Sequence, residues 1–530
     1  MLFPAVHELG YRMGLIAHAL YHQTTPLPSL DESIVFIKSI PWMYKEWWLG
    51  LVANDPLHVV VETVLLVSII YMIVARNTEG YKHPEDKLTE MEQQELLSEW
   101  KRTRAPLAAP PSSSEDESSD VAPQVIVHKQ QGRFLDISQG ENHVSEIKTV
   151  LNFGTFDFLG MQNPVENKLK EASVAALKKY GCGSCGPRGF YGTIDTHLHL
   201  EDEISKFTST DGAIMYSDGA STCTSTVAAF AKRGDLLVVD EGVYEPLMTG
   251  VILSRANVKW FRHNDPEDLE RVLKEIQRTD EKLKRKSNAQ RRFIVCEGLY
   301  KNLGTICPLD KIVELKHKYH YRLILDESFS FGTLGPTGKG ALELHGLKPM
   351  YDAEIITIAL ENSLGSIGGV TVGNEEVVDH QRLSGAGYCF SASAPPFTAT
   401  AAVQAIQCIK SQPELVSNLQ SNVSLVYEKL ANLDMLVVAS DERSPIVVLQ
   451  LEQERPDEQD ILRDIHQECL SRDIAMVATG QAPTGGLRSE LAPALRITVS
   501  TLHTADDIER LATAIKDSVS VVSKRFPPNF

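Results

Sequence analysis

From about residue 150 onward, hydrophobic positions fall into short unbroken runs separated by longer amphipathic stretches. The runs Gly212–Tyr216, Leu236–Val239, Arg292–Cys296, Tyr321–Leu325 and Glu354–Ala359 are too short for helices. They lack strict alternation, as strands buried on both faces do. Between them, Pro266–Arg278 and Leu309–Tyr319 carry apolar residues at helical spacing. This alternation predicts an α/β fold whose mostly parallel sheet is covered on both sides. Ligands in such sheets bind beyond the carboxyl ends of the strands, so residues that end each run are the informative ones.

The first part of the chain has a different texture. Leu57–Ala75 is apolar apart from His58 and Glu62, and Thr63–Ala75 carries no charge. That favours a single transmembrane helix over about 57–75 rather than a buried soluble or interfacial one. Arg76, Lys82 and Lys87 follow the run, and Lys38 and Lys45 precede it. The balance weakly places the bulk of the chain in the cytosol. Trp42, Trp47 and Trp48 suit a membrane interface, so residues 1–80 read as a membrane-associated segment. Residues 81–145 read as a juxtamembrane helix over Asp86–Arg102 followed by a linker. Residues 105–120, APLAAPPSSSEDESSD, are acidic, rich in Pro and Ser, and without apolar period, the composition of a disordered segment.

Length and charge narrow the classes. The chain has 530 residues, enough for several domains, and 43% of them are hydrophobic, enough for a large core. A formal net charge of -18 argues against nucleic-acid binding, which needs clustered Lys and Arg. The eight cysteines have no regular spacing and form no secreted disulfide framework. Cys182 and Cys185 form an isolated CxxC, and neither a second pair nor a Cys/His pair lies at zinc spacing.

The candidate chemistry lies after the strands. Asp326 ends YRLILDE and Asp240 ends LLVVDE. Each carboxylate either faces the crevice or serves as a cap or structural ion pair. Asp218-Gly219-Ala220-Ser221-Thr222 is a small-residue loop that opens a helix, a place where free N–H groups can cradle a phosphate. GCGSCGPRGFYGT, residues 181–193, is either a tight irregular connection or a loop where backbone approaches a ligand.

Taken together, these stretches resemble the α-oxoamine synthase family of fold-type I pyridoxal-phosphate (PLP) enzymes. The similarity covers about residues 150–515. It rests on YGCGSCGPRGFYGTIDTHLHLED, LILDESFSFGTLGPTGKG, SIGGVTVG, RLSGAGYCFSASAPP and LRITVSTLHT, in that order. It implies a fold-type I PLP-transferase, with a large domain over 146–415 and a smaller C-terminal α/β domain over 416–530. Catalytic members hold PLP on a lysine in a T-x-x-K-S-x-G stretch. The matching residues here run Ala359-Leu360-Glu361-Asn362-Ser363-Leu364-Gly365, with Asn362 at the lysine position. An amide is not nucleophilic and forms no imine. Glu361 would put a carboxylate near the cofactor's phosphate, where like charges repel. Two family histidines are replaced by Phe329 and Tyr244. Asp326, the partner of the pyridine nitrogen in the family, is kept but becomes a vestigial, structural residue.

The resemblance is strongest to lysine-free members that pair with a lysine-bearing catalytic subunit in the endoplasmic reticulum membrane. There the pair condenses L-serine with palmitoyl-CoA to 3-ketosphinganine, the first step of sphingolipid synthesis. On this reading the chain carries no catalytic residue of its own. PLP is bound covalently by the partner and not by this chain, and small regulatory membrane proteins are possible further partners. Cys185, Arg188 and Tyr191 of the Gly-rich loop, with Ser391 and Ser393, would contribute to the partner's site. Arg496 matches an arginine that binds the amino-acid carboxylate, and here would pair only with a carboxylate of the chain. Two other readings remain: a self-sufficient enzyme using a displaced Lys339 or Lys301, and a regulatory scaffold that touches no active site.

Overall fold

The computed structural model describes residues 53, 56–78, 94, 125–139, 147–163, 168–285, 290–480 and 491–526. The chain divides into two compact units, Met1–Ser119 and Asp120–Phe530. In the first, a helix spans Pro56–Thr78, where the apolar run predicts one. Its side chains at Val60, Val61, Val64–Val67 and Ile69–Met72 are exposed. Among the described residues no helix is long and apolar enough to cross a membrane. The run is interrupted by His58 and Glu62. The tryptophans, the helix expected over Asp86–Arg102 (apart from a helical Gln94) and the linker 105–120 lie outside the described residues.

The second unit starts earlier than the sequence pattern implies. Residues 125–139, assigned above to the linker, form a hairpin of β1 (Val125–Gln131) and β2 (Phe134–Gln139). The turn passes through Gly132 at φ +59, a left-handed conformation that glycine adopts without strain. β2 pairs antiparallel with β3 (Lys148–Asn152). Leu135 and Ile137 pack on Val150 and Leu470, and this burial makes the segment a strand rather than a linker.

The central sheet comprises β4 (Gly212–Tyr216), β5 (Leu236–Asp240), β6 (Asn257–Phe261), β7 (Arg292–Glu297), β8 (Arg322–Asp326), β9 (Ile355–Ala359) and β10 (Gly369–Gly373). Their spatial order is β4-β10-β9-β8-β7-β5-β6. All run parallel except β10, which lies antiparallel between β4 and β9. Every residue of β5, β9 and β10 is buried, as the unbroken apolar runs require. The expected strands are found to within a residue at each end. Asp240 and Asp326 are the last residues of β5 and β8.

C-terminal to the helix Glu414–Leu430 come β11 (Leu436–Val438), β12 (Ile446–Leu451), β13 (Ile474–Ala475), β14 (Val477–Thr479) and β15 (Ala494–Thr498). They form a second sheet, β11-β12-β15-β14, while β13 joins the first three strands in the order β1-β2-β3-β13. The helices Glu458–Ser471 and Ala505–Arg525 pack on this region. Their amphipathic faces bury Ile461, Leu462, Ile465, Ile508, Leu511 and Ile515.

Candidate functional site

At the carboxyl end of β8 the Asp326 carboxylate is fully enclosed. Its Oδ2 accepts from Cys223 Sγ at 2.8 Å, Thr357 Oγ1 at 2.6 Å and Ser328 Oγ at 3.0 Å, and its Oδ1 from Ser328 N at 3.0 Å. Burial raises its pKa despite those donors. Cys223, on the helix Gly219–Phe230, also lies 2.9 Å from the Tyr244 hydroxyl. Burial holds both the thiol and the phenol well above their ordinary values, so neither ionises at neutral pH. Phe329 meets Tyr244 edge to face at 5.9 Å and Phe156 at 5.1 Å. The crevice beside Asp326 is thus lined and satisfied by the chain's own side chains. Asp240 is structural: it pairs with His263 Nδ1 at 2.8 Å and accepts from Asn264 N at 3.0 Å.

Asp218 caps the helix Gly219–Phe230, its Oδ1 accepting from Ser221 N at 2.7 Å. Against the first residue of that helix lies Glu361. A Cβ on Gly219 would come within 2.6 Å of Glu361 Oε1. Glu361 Oε2 is buried without a hydrogen-bond partner. Burial, then repulsion from Asp218 and Asp326, lifts this carboxyl to about 7. A raised acid pKa makes folding less favourable as pH climbs from the unfolded value near 4.5 to about 7, and leaves a constant penalty above. At 1.36 kcal/mol per unit that penalty is ~3 kcal/mol. Glu361→Gln should therefore raise the unfolding temperature at pH 8 and leave it unchanged at pH 4. Thermal melts across that range would reveal the difference, and a pH-independent gap would refute it.

Asn362 is buried, with Nδ2 donating to Ser328 O at 2.9 Å and its main-chain carbonyl accepting from Phe158 N at 3.3 Å. Neither alternative lysine takes its place. Lys339 Nζ donates to Ser209 Oγ at 3.3 Å and lies over Phe207. Lys301 Nζ pairs with Glu245 at 3.2 Å, 5.9 Å from the Tyr244 ring centroid. Arg496, expected to pair with a carboxylate, forms no ion pair among the described residues. It lies over the Phe156 ring at 4.4 Å, and its Nε is buried without a partner. β15 and the small C-terminal sheet set its position, and Glu245 acts on it only at longer range.

The Gly-rich loop and the segment around Ser393 are one structure. Ser393 N and Oγ both donate to Gly186 O at 2.9 Å, and Ser184 Oγ donates to Ser393 O at 2.8 Å. His197 fastens the same junction. Its Nδ1 accepts from Ile194 N at 3.1 Å, which leaves Nε2 to donate to Ala394 O at 2.8 Å. Ser391 Oγ lies 3.1 Å from Ser217 Oγ, so the junction reaches the end of β4. Cys185 and Tyr191 are held at φ +57 and +65, conformations that cost a non-glycine residue about 1–2 kcal/mol. Cys185 is exposed, and so are Phe190, Tyr191 and Phe390. Arg188 points the other way. Its guanidinium grips both oxygens of Glu201, at 2.7 and 3.1 Å, and donates to Met215 O at 3.3 Å. It anchors the loop and presents no charge outward.

Sequence reasoning missed Cys223, Thr357, Glu201 and His197. Cys223 lies five residues after Asp218 on a helix that begins at the crevice, a placement that could have marked it. Glu201 and His197 share no local pattern with the loop they hold.

The fold and this crevice define a PLP-transferase-like chain, and the comparisons agree. Residues 146–515 match the family "Aminotransferase class I and II", and the chain belongs to that family. Within it, long chain base biosynthesis protein 1 of Arabidopsis thaliana is 38% identical over 462 residues, covering 87% of this chain and 90% of that one. Serine palmitoyltransferase 1 of Dictyostelium discoideum is 36% identical over 481 residues, covering 89% and 96%. Serine palmitoyltransferase 1 of Saccharomyces cerevisiae is 33% identical over 405 residues, covering 75% and 71%. A solved structure of SPT with a PLP internal aldimine superimposes with TM-score 0.65 at 25% identity, over 76% of this chain and 93% of that one.

Proposed function

We propose that this chain is the subunit of serine palmitoyltransferase that does not carry the cofactor. The enzyme condenses L-serine with palmitoyl-CoA to 3-ketosphinganine, the first step of sphingolipid biosynthesis. PLP, the electron sink of that chemistry when bound, does not suit this chain's own crevice. Asn362 offers no amine, the Asp326 oxygens are taken by Cys223, Thr357 and Ser328, and a carboxylate stands at the helix start. The cofactor is therefore assigned to a lysine-bearing partner, which this chain stabilises and whose active site it completes.

The observation that carries this reading is the joined pair of loops. They are braced from within by Arg188 and His197 while exposing Cys185, Phe190, Tyr191 and Phe390. Strained backbone and exposed aromatics held on a rigid frame are what an interface that shapes a neighbour's site requires. The Ser391 and Ser393 hydroxyls bond within the chain, so their support of the neighbour is through the backbone they fix. The exposed apolar residues of the helix Pro56–Thr78 favour a membrane anchor, with the larger unit in the cytosol at the endoplasmic reticulum.

The test is co-expression of the full chain with and without a lysine-bearing homologue, followed by membrane fractionation and assay of serine-dependent CoA release. The pair should be active in the membrane fraction and the lone chain inactive. Turnover by the lone chain would overturn the proposal. An active pair that stays in the soluble fraction would overturn the anchor alone.

A further inference from the structure

The helix Gly219–Phe230 is 12 residues long, and its start is built for close approach. A Cβ on Gly219 would lie 2.7 Å from the Ala359 Cβ, and one on Gly369 would lie 3.0 Å from the Gly219 Cα. Two glycines back to back bring the ends of β9 and β10 against the first turn of the helix. A helix start of this kind, with unpaired N–H groups and a positive dipole end, attracts anions. The side chain that stands there is Glu361, with Oε1 against Gly219 and Oε2 buried without a partner. No cation neutralises it: among the described residues no ion pair involves Glu361. Asp218, the helix cap, adds a second carboxylate.

We propose that Glu361 is a built-in plug, a carboxylate seated where a phosphate group would sit, which excludes phosphate-bearing ligands from this chain independently of the missing lysine. The proposal rests on the assignment of the cofactor to the partner and extends it: restoring the amine at position 362 is not enough to restore binding. A phosphate monoester carries close to two negative charges at neutral pH. It would meet space already filled by Glu361 Oε1 against Gly219 and, once that carboxyl ionises above about 7, like charge as well, with the Asp218 carboxylate at the same helix start. With Glu361 reduced to a serine, the same helix start gains space and a hydroxyl donor.

The experiment uses the full chain in complex with its lysine-bearing partner. Borohydride reduction in the presence of PLP, followed by peptide mass spectrometry, reports which lysine of which chain carried the imine. Asn362→Lys alone should show no pyridoxyl adduct at position 362. Glu361→Ser combined with Asn362→Lys should show at least a tenfold greater yield of that adduct. Equal labelling of the single and double variants, or no labelling of the double variant, overturns the plug. A labelled lysine in the unaltered chain would instead refute the assignment of the cofactor to the partner. A second measurement needs no lysine. Inorganic phosphate should raise the unfolding temperature of Glu361→Ser by a few degrees through binding to the folded state, and leave the unaltered chain unmoved. A phosphate effect of equal size on both, or on neither, counts against the proposal.

Discussion

Arg188→Ala should lower the stability of the chain by about 3–5 kcal/mol, the usual cost of removing one member of a buried ion pair. The arginine and Glu201 are both buried, and their contact is bidentate at 2.7 and 3.1 Å. Without the guanidinium, Glu201 keeps one donor, the Met215 amide at 2.8 Å, and is left as a nearly uncompensated buried charge. The Gly-rich loop also loses its tether to the Met215 carbonyl. Turnover by the assembled pair should fall accordingly, although Arg188 touches no substrate. Arg188→Lys should recover only part of the loss, because a point charge cannot reproduce the planar two-pronged contact. Thermal unfolding of all three proteins decides the matter. A melting curve for Arg188→Ala within about 0.5 kcal/mol of the parent, the range of an ordinary surface substitution, would show that the pair is not holding the loop.

Gly192→Ala should impair function by forcing the two loops apart. A Cβ at this position would overlap the Gly186 carbonyl oxygen and stand 2.5 Å from both the Gly186 carbonyl carbon and Ser393 Oγ. Those atoms are backbone and a braced hydroxyl, so the two loops must part. Gly192 is itself buried, and Ala394 beside the junction packs in the core, so the melting temperature should fall as well. The partner's turnover should fall by ~10²-fold, the scale expected when a site-forming element moves by about 1 Å. Comparing CoA release by pairs built with the parent and the variant tests this. Turnover within about twofold of the parent would mean that the loops scaffold the interface without shaping the neighbouring site, as the regulatory-scaffold reading requires.

The contrast between these two positions shows what can be read from a one-dimensional pattern. The strands of the central sheet are written as local runs of apolar residues, so β5, β8 and β9 were placed to within a residue. The absence of a lysine at Asn362 is also local, since it depends only on the motif around it. The role of Arg188 is not. Its position in the Gly-rich loop pointed to an outward-facing site residue, and only the buried Glu201, thirteen residues on, turns it inward. Arg496 failed the opposite way, because among the described residues it forms no ion pair and Glu245 acts on it only at longer range. The hairpin over Val125–Gln139 was missed because its edge strand β1 is mostly exposed. Its buried apolar residues are only Leu135 and Ile137 of β2, whose packing partners include a residue more than three hundred positions away.

That separation bears on how the protein is made. β3 pairs on one side with β2 and on the other with β13, through Leu151 with Ile474 and Asn152 with Ala475. Ser500 Oγ donates to Asp157 O at 2.6 Å, and His503 Nε2 bonds Asn152 O at 2.9 Å. A nascent chain that has just released residues 125–160 from the ribosome holds an unfinished sheet edge until more than three hundred further residues emerge. At about 5–20 residues per second that wait lasts tens of seconds, during which the open edge is a template for wrong pairing. The edge of β3 closes only when β13 has been translated, so a chain truncated before Ile474 should fail to fold as a whole rather than lose only its C-terminal elements.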